Sequence, residues 1–165
     1  MSWDVRQFIL GIHIFFGIVW FGGVLFIGWG VFPASQKLKP TVQRIFLSHL
    51  MTWVHWPLTL VGVSVITTGI VLGTVGGPLK SWEAVMTTSY GRLFLTALII
   101  AILTLLWGMF VGYRHAMGVF NQVEIWKNAE QGDVKPLKKA LISIAALESI
   151  EIAGFIAILI CMVLI

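Results

Sequence analysis

Charged residues divide the chain into four long stretches that are almost entirely apolar. A bilayer hydrocarbon core about 30 Å thick needs about 20 helical residues at a rise of 1.5 Å per residue, and each stretch is at least that long. The fourth stretch is interrupted only by Glu148 and Glu151. We therefore predict an all-α integral membrane protein, a four-helix bundle with spans at about 8–32, 46–73, 93–113 and 140–165.

The composition agrees with this pattern and excludes a water-exposed enzyme. Of 165 residues, 58% are hydrophobic and 11% are charged, whereas about a quarter of the residues of a typical soluble domain are charged. The net charge of +4 would suggest a nucleic-acid partner in a soluble chain. In a membrane protein it more simply encodes orientation, so we expect membrane lipid around the chain and no nucleic acid.

Basic residues are concentrated in the connections after the first and third spans. By the positive-inside rule these connections lie in the cytoplasm, so both termini are predicted on the non-cytoplasmic side of a bacterial-type cytoplasmic (inner) membrane, in a multi-pass protein. Arg6, Lys80 and Arg92 lie on the other side. The eight basic residues of the two connections are Lys37, Lys39, Arg44, Arg114, Lys127, Lys135, Lys138 and Lys139.

A polar segment with spaced apolar residues follows the third span. Phe120, Val123 and Trp126 recur at about one helical turn within 117–132. The spacing predicts a helix that continues beyond the third span along the cytoplasmic surface.

Small residues along the first span predict self-association. Helices in lipid associate through close packing at glycine, and this span has more glycines than one internal contact requires. We therefore expect a homodimer, with contacts along Gly17, Gly22, Gly23 and Gly28.

The first candidate for chemistry is His13, which lies within the first span. Gly17 and Trp20 share its helical face, which leaves a gap beside the imidazole. Neutral imidazole is the usual axial ligand of a b-type haem, and haem b is the cofactor we expect. The alternative is a histidine that only packs against a neighbouring helix through a hydrogen bond.

Three further histidines are candidate ligands nearer the cytoplasm: His49, His55 and His115. His49 and His55 are about 120° and about 9 Å apart on one helix, so they cannot easily bind one iron together. Either His55 reaches the haem of His13 across the bundle, or there are two sites. We favour two sites, with the outer haem iron on His13 and an inner one on a pair among His49, His55 and His115.

Glu148 and Glu151 are the intramembrane carboxylates. They lie on one face of the fourth span, where a carboxylate is costly unless it is protonated, paired or hydrated. Neither has a histidine one turn away, as a di-iron bundle site would require. They are therefore predicted to serve as a proton relay or as counter-charge for a ligand.

The run Ile12–Gly23, with His13 followed seven residues later by Trp20, resembles the first helix of the J-type protoporphyrinogen oxidases and of the related copper resistance protein D and DUF2269-like membrane proteins. The sequence Tyr-Gly-Arg-Leu at 90–93 is similar to the copper resistance protein D branch, so Arg92 joins the candidate cofactor-binding residues. The resemblance implies a four-helix haem-binding scaffold with His13 as the ligand.

The chain departs from the oxidases at two positions. Thr96 stands early in the third span where they have an essential Lys, and Leu147 stands where an Asn precedes the glutamate equivalent to Glu148. The resemblance therefore does not by itself predict protoporphyrinogen oxidation.

Together these observations predict a membrane b-type haem protein in electron transfer or a haem-dependent redox reaction. As an enzyme it would be a haem-dependent oxidoreductase, and its redox partner would be a quinone or a redox protein. Two other functions stay open: a permease-like protein for copper or another small solute, which would use the intramembrane carboxylates and histidines, and a structural subunit of a membrane complex.

Overall fold

The computed structural model describes residues 1–164 and, within them, contains helices and connecting turns but no strand. Four helices are long and apolar enough to cross a membrane, which confirms the predicted all-α, multi-pass architecture. They are α1 (Trp3–Ser35), α2 (Pro40–Thr74), α4 (Ser89–Asn121) and α6 (Lys135–Leu164). Two short helices lie in the connections: α3 (Trp82–Thr87) and α5 (Val123–Glu130).

The four long helices extend beyond the predicted spans. They have 30 to 35 residues each, and at 1.5 Å per residue they are longer than a hydrocarbon core about 30 Å thick. Capping residues rather than charges set some of their ends: Ser2 accepts a hydrogen bond from the Val5 amide, and Thr88 accepts one from the Gly91 amide. A polar residue outside the membrane ends the apolar stretch, but it does not end a helix whose backbone stays hydrogen-bonded.

Consecutive long helices run antiparallel, so the bundle has two distinct ends. The end near Trp3, Thr74, Ser89 and Leu164 is called the terminal end. The opposite end is called the basic end because the eight basic residues of the two connections lie there. Around the bundle, α1 packs against α2, α2 against α4, and α4 against α6, and contacts between α6 and α1 complete it.

Glycines of α2 allow aromatic side chains to lie close to its backbone. A Cβ atom at Gly62 would lie 2.9 Å from Cε2 of Trp20 on α1 and 2.8 Å from Leu105 on α4. The same relation holds between Gly73 and Phe94 of α4. Small residues at such positions permit close helix packing in lipid.

At the basic end, the single helix predicted over 117–132 is divided in two. Helix α4 continues to Asn121, the backbone turns at Gln122 (φ −80°, ψ 71°), and α5 follows. This turn folds α5 back against α2 and α6. It buries Trp126 completely, and the indole N–H of Trp126 donates to the carbonyl of Val119 at 3.1 Å. Phe120 and Trp126 thus pack into a protein core, whereas Val123 is exposed. The core comprises Leu47, Ala116, Val119, Phe120, Trp126, Ala129, Leu137 and Ile144.

Candidate functional site

Two cavities lie inside the bundle, one above the other along its axis. The outer cavity, toward the terminal end, has a volume of about 610 Å³. The inner cavity, toward the basic end, has a volume of about 190 Å³. The buried indole of Trp20 lines both and separates them, and it packs edge-on against Phe155 with ring centroids 4.7 Å apart.

The outer cavity contains the residues that the sequence placed on one face of the first helix. His13, Gly17 and Trp20 all line it. A Cβ atom added at Gly17 would meet nothing within 4 Å, so the gap predicted beside the imidazole is present. A Cβ atom at Gly69 of α2 would lie 3.1 Å from Cε1 of His13, so this glycine lets the imidazole ring lie against the α2 backbone.

The hydrogen bonds around Thr68 favour one tautomer of His13. Its Nδ1 lies 2.9 Å from Oγ1 of Thr68, whose own hydroxyl lies 2.7 Å from the Ser64 carbonyl and donates to it. A hydroxyl has a single proton, so the Thr68 oxygen accepts from the Nδ1–H of His13. The Nε2 of His13 therefore keeps its lone pair, which is the arrangement found in metal-ligating histidines.

The outer cavity also offers a positive charge at its terminal-end rim. Arg6 lines the cavity, and its Nε donates to the carbonyl of Gly76 at 3.2 Å. Arg6 was not among the site residues predicted from the sequence, although it lies seven residues, two helical turns, before His13 and so on the same face. Arg92 was selected instead, but it is exposed, donates to the Thr87 carbonyl at 2.9 Å and lines neither cavity.

These features fit a flat, mainly apolar macrocycle with acidic substituents. The volume lies within the range of about 300–1,000 Å³ typical of small-molecule and cofactor sites. Aromatic side chains form much of the wall, and Arg6 can pair with a carboxylate at the rim. The aromatic residues of the wall are Trp20, Phe21, Tyr90, Phe94 and Phe155.

The inner cavity combines an imidazole with the two carboxylates of α6. His55, Glu148 and Glu151 all line it. The imidazole of His55 stacks on the ring of Tyr113 from α4, with centroids 3.9 Å apart and planes 21° apart. Tyr113 was not selected from the sequence, where a tyrosine at the end of an apolar stretch is most simply an interfacial aromatic residue.

Both carboxylates lie against a π-helical segment of α4, Trp107–Gly112. A Cβ atom at Gly108 would lie 2.8 Å from each carboxylate oxygen of Glu151. A Cβ atom at Gly112 would lie 2.9 Å from Oε1 of Glu148. Glycine at these positions therefore leaves space for the carboxylates, and π-helical segments of this kind are frequent at functional sites.

The three histidines among which the predicted inner pair was sought have different surroundings. His49 is exposed, and its Nδ1 donates to the Ile45 carbonyl of its own helix at 2.8 Å. The Nε2 of His115 lies 2.8 Å from the Ser143 hydroxyl, which itself donates to the Ala140 carbonyl. Of the three, only His55 lines a cavity.

The side chains of residues 1–164 contain no group of three or more His, Cys, Asp or Glu residues arranged to hold a metal ion. A haem iron needs fewer ligands from the protein, because the macrocycle supplies four nitrogen ligands and the protein supplies only the axial ones.

Three comparisons with known proteins found no match to this chain. No protein-family model matches the chain, and neither does any curated protein or solved structure. The chemistry of the two cavities is therefore the basis on which function is inferred.

Proposed function

We propose that this membrane protein holds a b-type haem in the outer cavity and takes part in electron transfer. One observation carries the proposal: His13 lines a 610 Å³ apolar cavity while Thr68 holds its Nδ1–H, so that Nε2 is free to bind iron. Neutral imidazole is the common axial ligand of haem iron in proteins.

Several residues at or beside the outer cavity have separate parts in this proposal. Thr68 fixes the orientation of the His13 ring and raises its basicity as a ligand. Gly17 leaves the space beside the ring open, and Arg6 pairs with a carboxylate at the rim. Trp20 and Phe155 close the floor of the cavity and limit the access of water from the inner cavity. The bound haem supplies one-electron chemistry between Fe(III) and Fe(II).

The redox partner in this proposal is a quinone or a redox protein, as an electron carrier or a haem-dependent oxidoreductase would require. Support comes from Ile14 and Ile18, which line the outer cavity and are also exposed on the surface of α1. The cavity therefore reaches a side of the bundle that faces lipid. A lipid-soluble quinone can approach from that side, and a redox protein can approach from the terminal end.

The visible absorption spectrum of the purified protein tests the proposal. Protein produced in haem-replete cells is expected to show a strong Soret band and about one haem b per chain, because of the two cavities described, only the outer one has the volume of a cofactor site. Two haems per chain would instead support the scheme with a second haem at His55. A colourless protein that also fails to take up added haemin would contradict the proposal.

We also propose that both termini lie on the non-cytoplasmic side of a bacterial-type cytoplasmic membrane. The eight basic residues at the basic end support this orientation. A protease added to intact spheroplasts is expected to remove a tag attached to the C-terminus. Protection in spheroplasts together with cleavage in inverted vesicles would reverse the orientation.

The proposed homodimer has support from fewer glycines than the sequence suggested. Gly23 packs against Leu58 of α2, and Gly17 and Gly28 line the two cavities, so that Gly22 alone of the four lies on open surface. Exposed neighbours on the face of Gly22 extend this surface along α1, and they are Gly11, Phe15 and Phe26.

We expect a dimer of the native chain and a monomer of Gly22→Leu by mass measurement in a mild detergent. The added side chain would separate two helices that approach each other at glycine. A native chain that stays monomeric over a wide concentration range would contradict the dimer.

A further inference from the structure

We propose that the inner cavity binds a small protonated amine, with its ammonium group held by the carboxylates of Glu148 and Glu151. This inference concerns a different cavity from the haem proposal and does not depend on it.

The first argument is the charge of the cavity wall. Glu151 is only 7% exposed, yet it lines the cavity, as Glu148 does. The described lining contains no Lys or Arg. A carboxylate inside a membrane is costly unless a proton, a counter-charge or water compensates it. An ammonium group supplies a positive charge together with three N–H donors, and so it matches two adjacent carboxylates.

The second argument is that the backbone of α4 is shaped around these carboxylates. Gly108 and Gly112 belong to the π-helical segment, and a Cβ atom at either position would lie 2.8 to 2.9 Å from a carboxylate oxygen. Side chains larger than glycine would push the carboxylates out of place. The segment thus keeps Glu148 and Glu151 at the cavity wall, which is a feature of a built site rather than of a packing defect.

The third argument concerns size and the rest of the lining. A volume of 190 Å³ holds about six water molecules at about 30 Å³ each, or a ligand with about as many non-hydrogen atoms. Most of the remaining wall is apolar and suits a short alkyl group. Aromatic side chains add cation–π attraction for an ammonium group, and those in the lining are Trp20, Trp29, Phe32, Tyr113 and Phe120.

The chemistry of the donors favours an amine over a bare metal ion. Metal ions in proteins are held by several ligands at close distance. Among residues 1–164, the side chains of His55, Glu148 and Glu151 do not form such a group. An organic ammonium ion needs only hydrogen-bond acceptors and an apolar wall, both of which the inner cavity provides.

Isothermal titration calorimetry of the haem-free full-length chain in dodecyl maltoside tests the site. The probe is n-butylammonium chloride, and 1-butanol is the neutral ligand of matched size. We expect saturable binding of one butylammonium per chain and at least tenfold weaker binding of butanol. Tetramethylammonium, a cation without N–H donors, is expected to bind more weakly than butylammonium. Equal binding of butylammonium and butanol would overturn the proposal.

Matched variants test whether Glu148 and Glu151 hold the ammonium group. Glu151→Gln and Glu148→Gln keep the shape of each side chain and remove its charge, and each is expected to weaken butylammonium binding at least tenfold. Glu83→Gln on α3 is the control, because Glu83 is exposed and lines neither cavity, and this variant should bind butylammonium as the native chain does. Circular dichroism checks that each variant is folded. Folded Glu151→Gln and Glu148→Gln proteins that both bind butylammonium as tightly as the native chain would overturn the proposal.

The lipid composition of the nanodisc distinguishes a free amine from the amine of a lipid headgroup as the ligand of this site. In nanodiscs of phosphatidylcholine, butylammonium binding is expected to persist. If nanodiscs of phosphatidylethanolamine abolish it, the amine of a lipid headgroup occupies the same site. Because all titrations use haem-free protein, absence of a Soret band in the native chain would overturn the haem proposal and leave this one standing.

Discussion

Replacing His13 by alanine is expected to remove the haem and with it the Soret band. His13 is the only imidazole that lines the outer cavity within residues 1–164. Without it, only apolar contacts and Arg6 would hold the macrocycle, and haem bound in that way would be lost during purification. The measurement is haem per chain after purification from haem-replete cells, with His49→Ala as the matched control, because His49 is exposed and lines neither cavity.

Thr68→Val tests the hydrogen bond that orients the His13 ring. Valine has nearly the shape of threonine but cannot accept the Nδ1–H hydrogen bond of His13. Loss of such a supporting partner typically weakens a metal site by about 10- to 100-fold. We therefore expect a weaker haem affinity in haemin titrations and a shifted reduction potential. Full haem content in the His13→Ala protein would contradict the assignment of the ligand.

The second large effect is expected from Trp126→Ala, which should lower the free energy of unfolding by about 3–5 kcal/mol. Trp126 is fully buried in the core at the basic end, outside the predicted third span. The large cavity left by alanine and the loss of the indole hydrogen bond to the Val119 carbonyl, which keeps only its bond from the Gln122 amide, both destabilise the fold. Trp126→Phe keeps most of the volume and loses the hydrogen bond, which should cost about 1 kcal/mol.

Chemical denaturation in detergent micelles measures these effects. Trp53→Ala is the control, since Trp53 is 79% exposed on α2, and its change should stay within about 0.5 kcal/mol. If Trp126→Ala were as mild as Trp53→Ala, α5 would not pack as described. The segment 117–132 would then lie on the membrane surface, as its sequence pattern suggested.

The four membrane helices could be predicted from the sequence because the length and hydropathy of a single stretch of chain are enough to identify each of them. An apolar stretch of about 20 residues without charge has few alternatives to a membrane-spanning helix. The shared cavity of His13, Gly17 and Trp20 could be predicted for a related reason. These residues lie on one helix, and the 3.6-residue period fixes which of its side chains share a face.

Contacts between helices could not be predicted in this way, since the rotation of one helix against another depends on the packing of the whole bundle. The sequence placed His55 within its apolar stretch, and His49 and His115 nearer the cytoplasmic surface, but it could not show which of the three meets a cavity. Of the three, only His55 lines either of the two cavities described. Thr68 and Tyr113 approach the histidines from other helices. Nothing in the local pattern distinguishes these two residues from other polar residues of the spans.

The all-helical membrane architecture and the open gap beside His13 follow from the pattern of residues along the chain. That the inner cavity joins His55 to Glu148 and Glu151, and that Trp126 is buried in protein, follows only from the way the helices pack. Period and hydropathy are properties of one segment, whereas a cavity or a core forms only where several segments meet, and the close approach that shapes it depends on glycines such as Gly108 on the opposite helix.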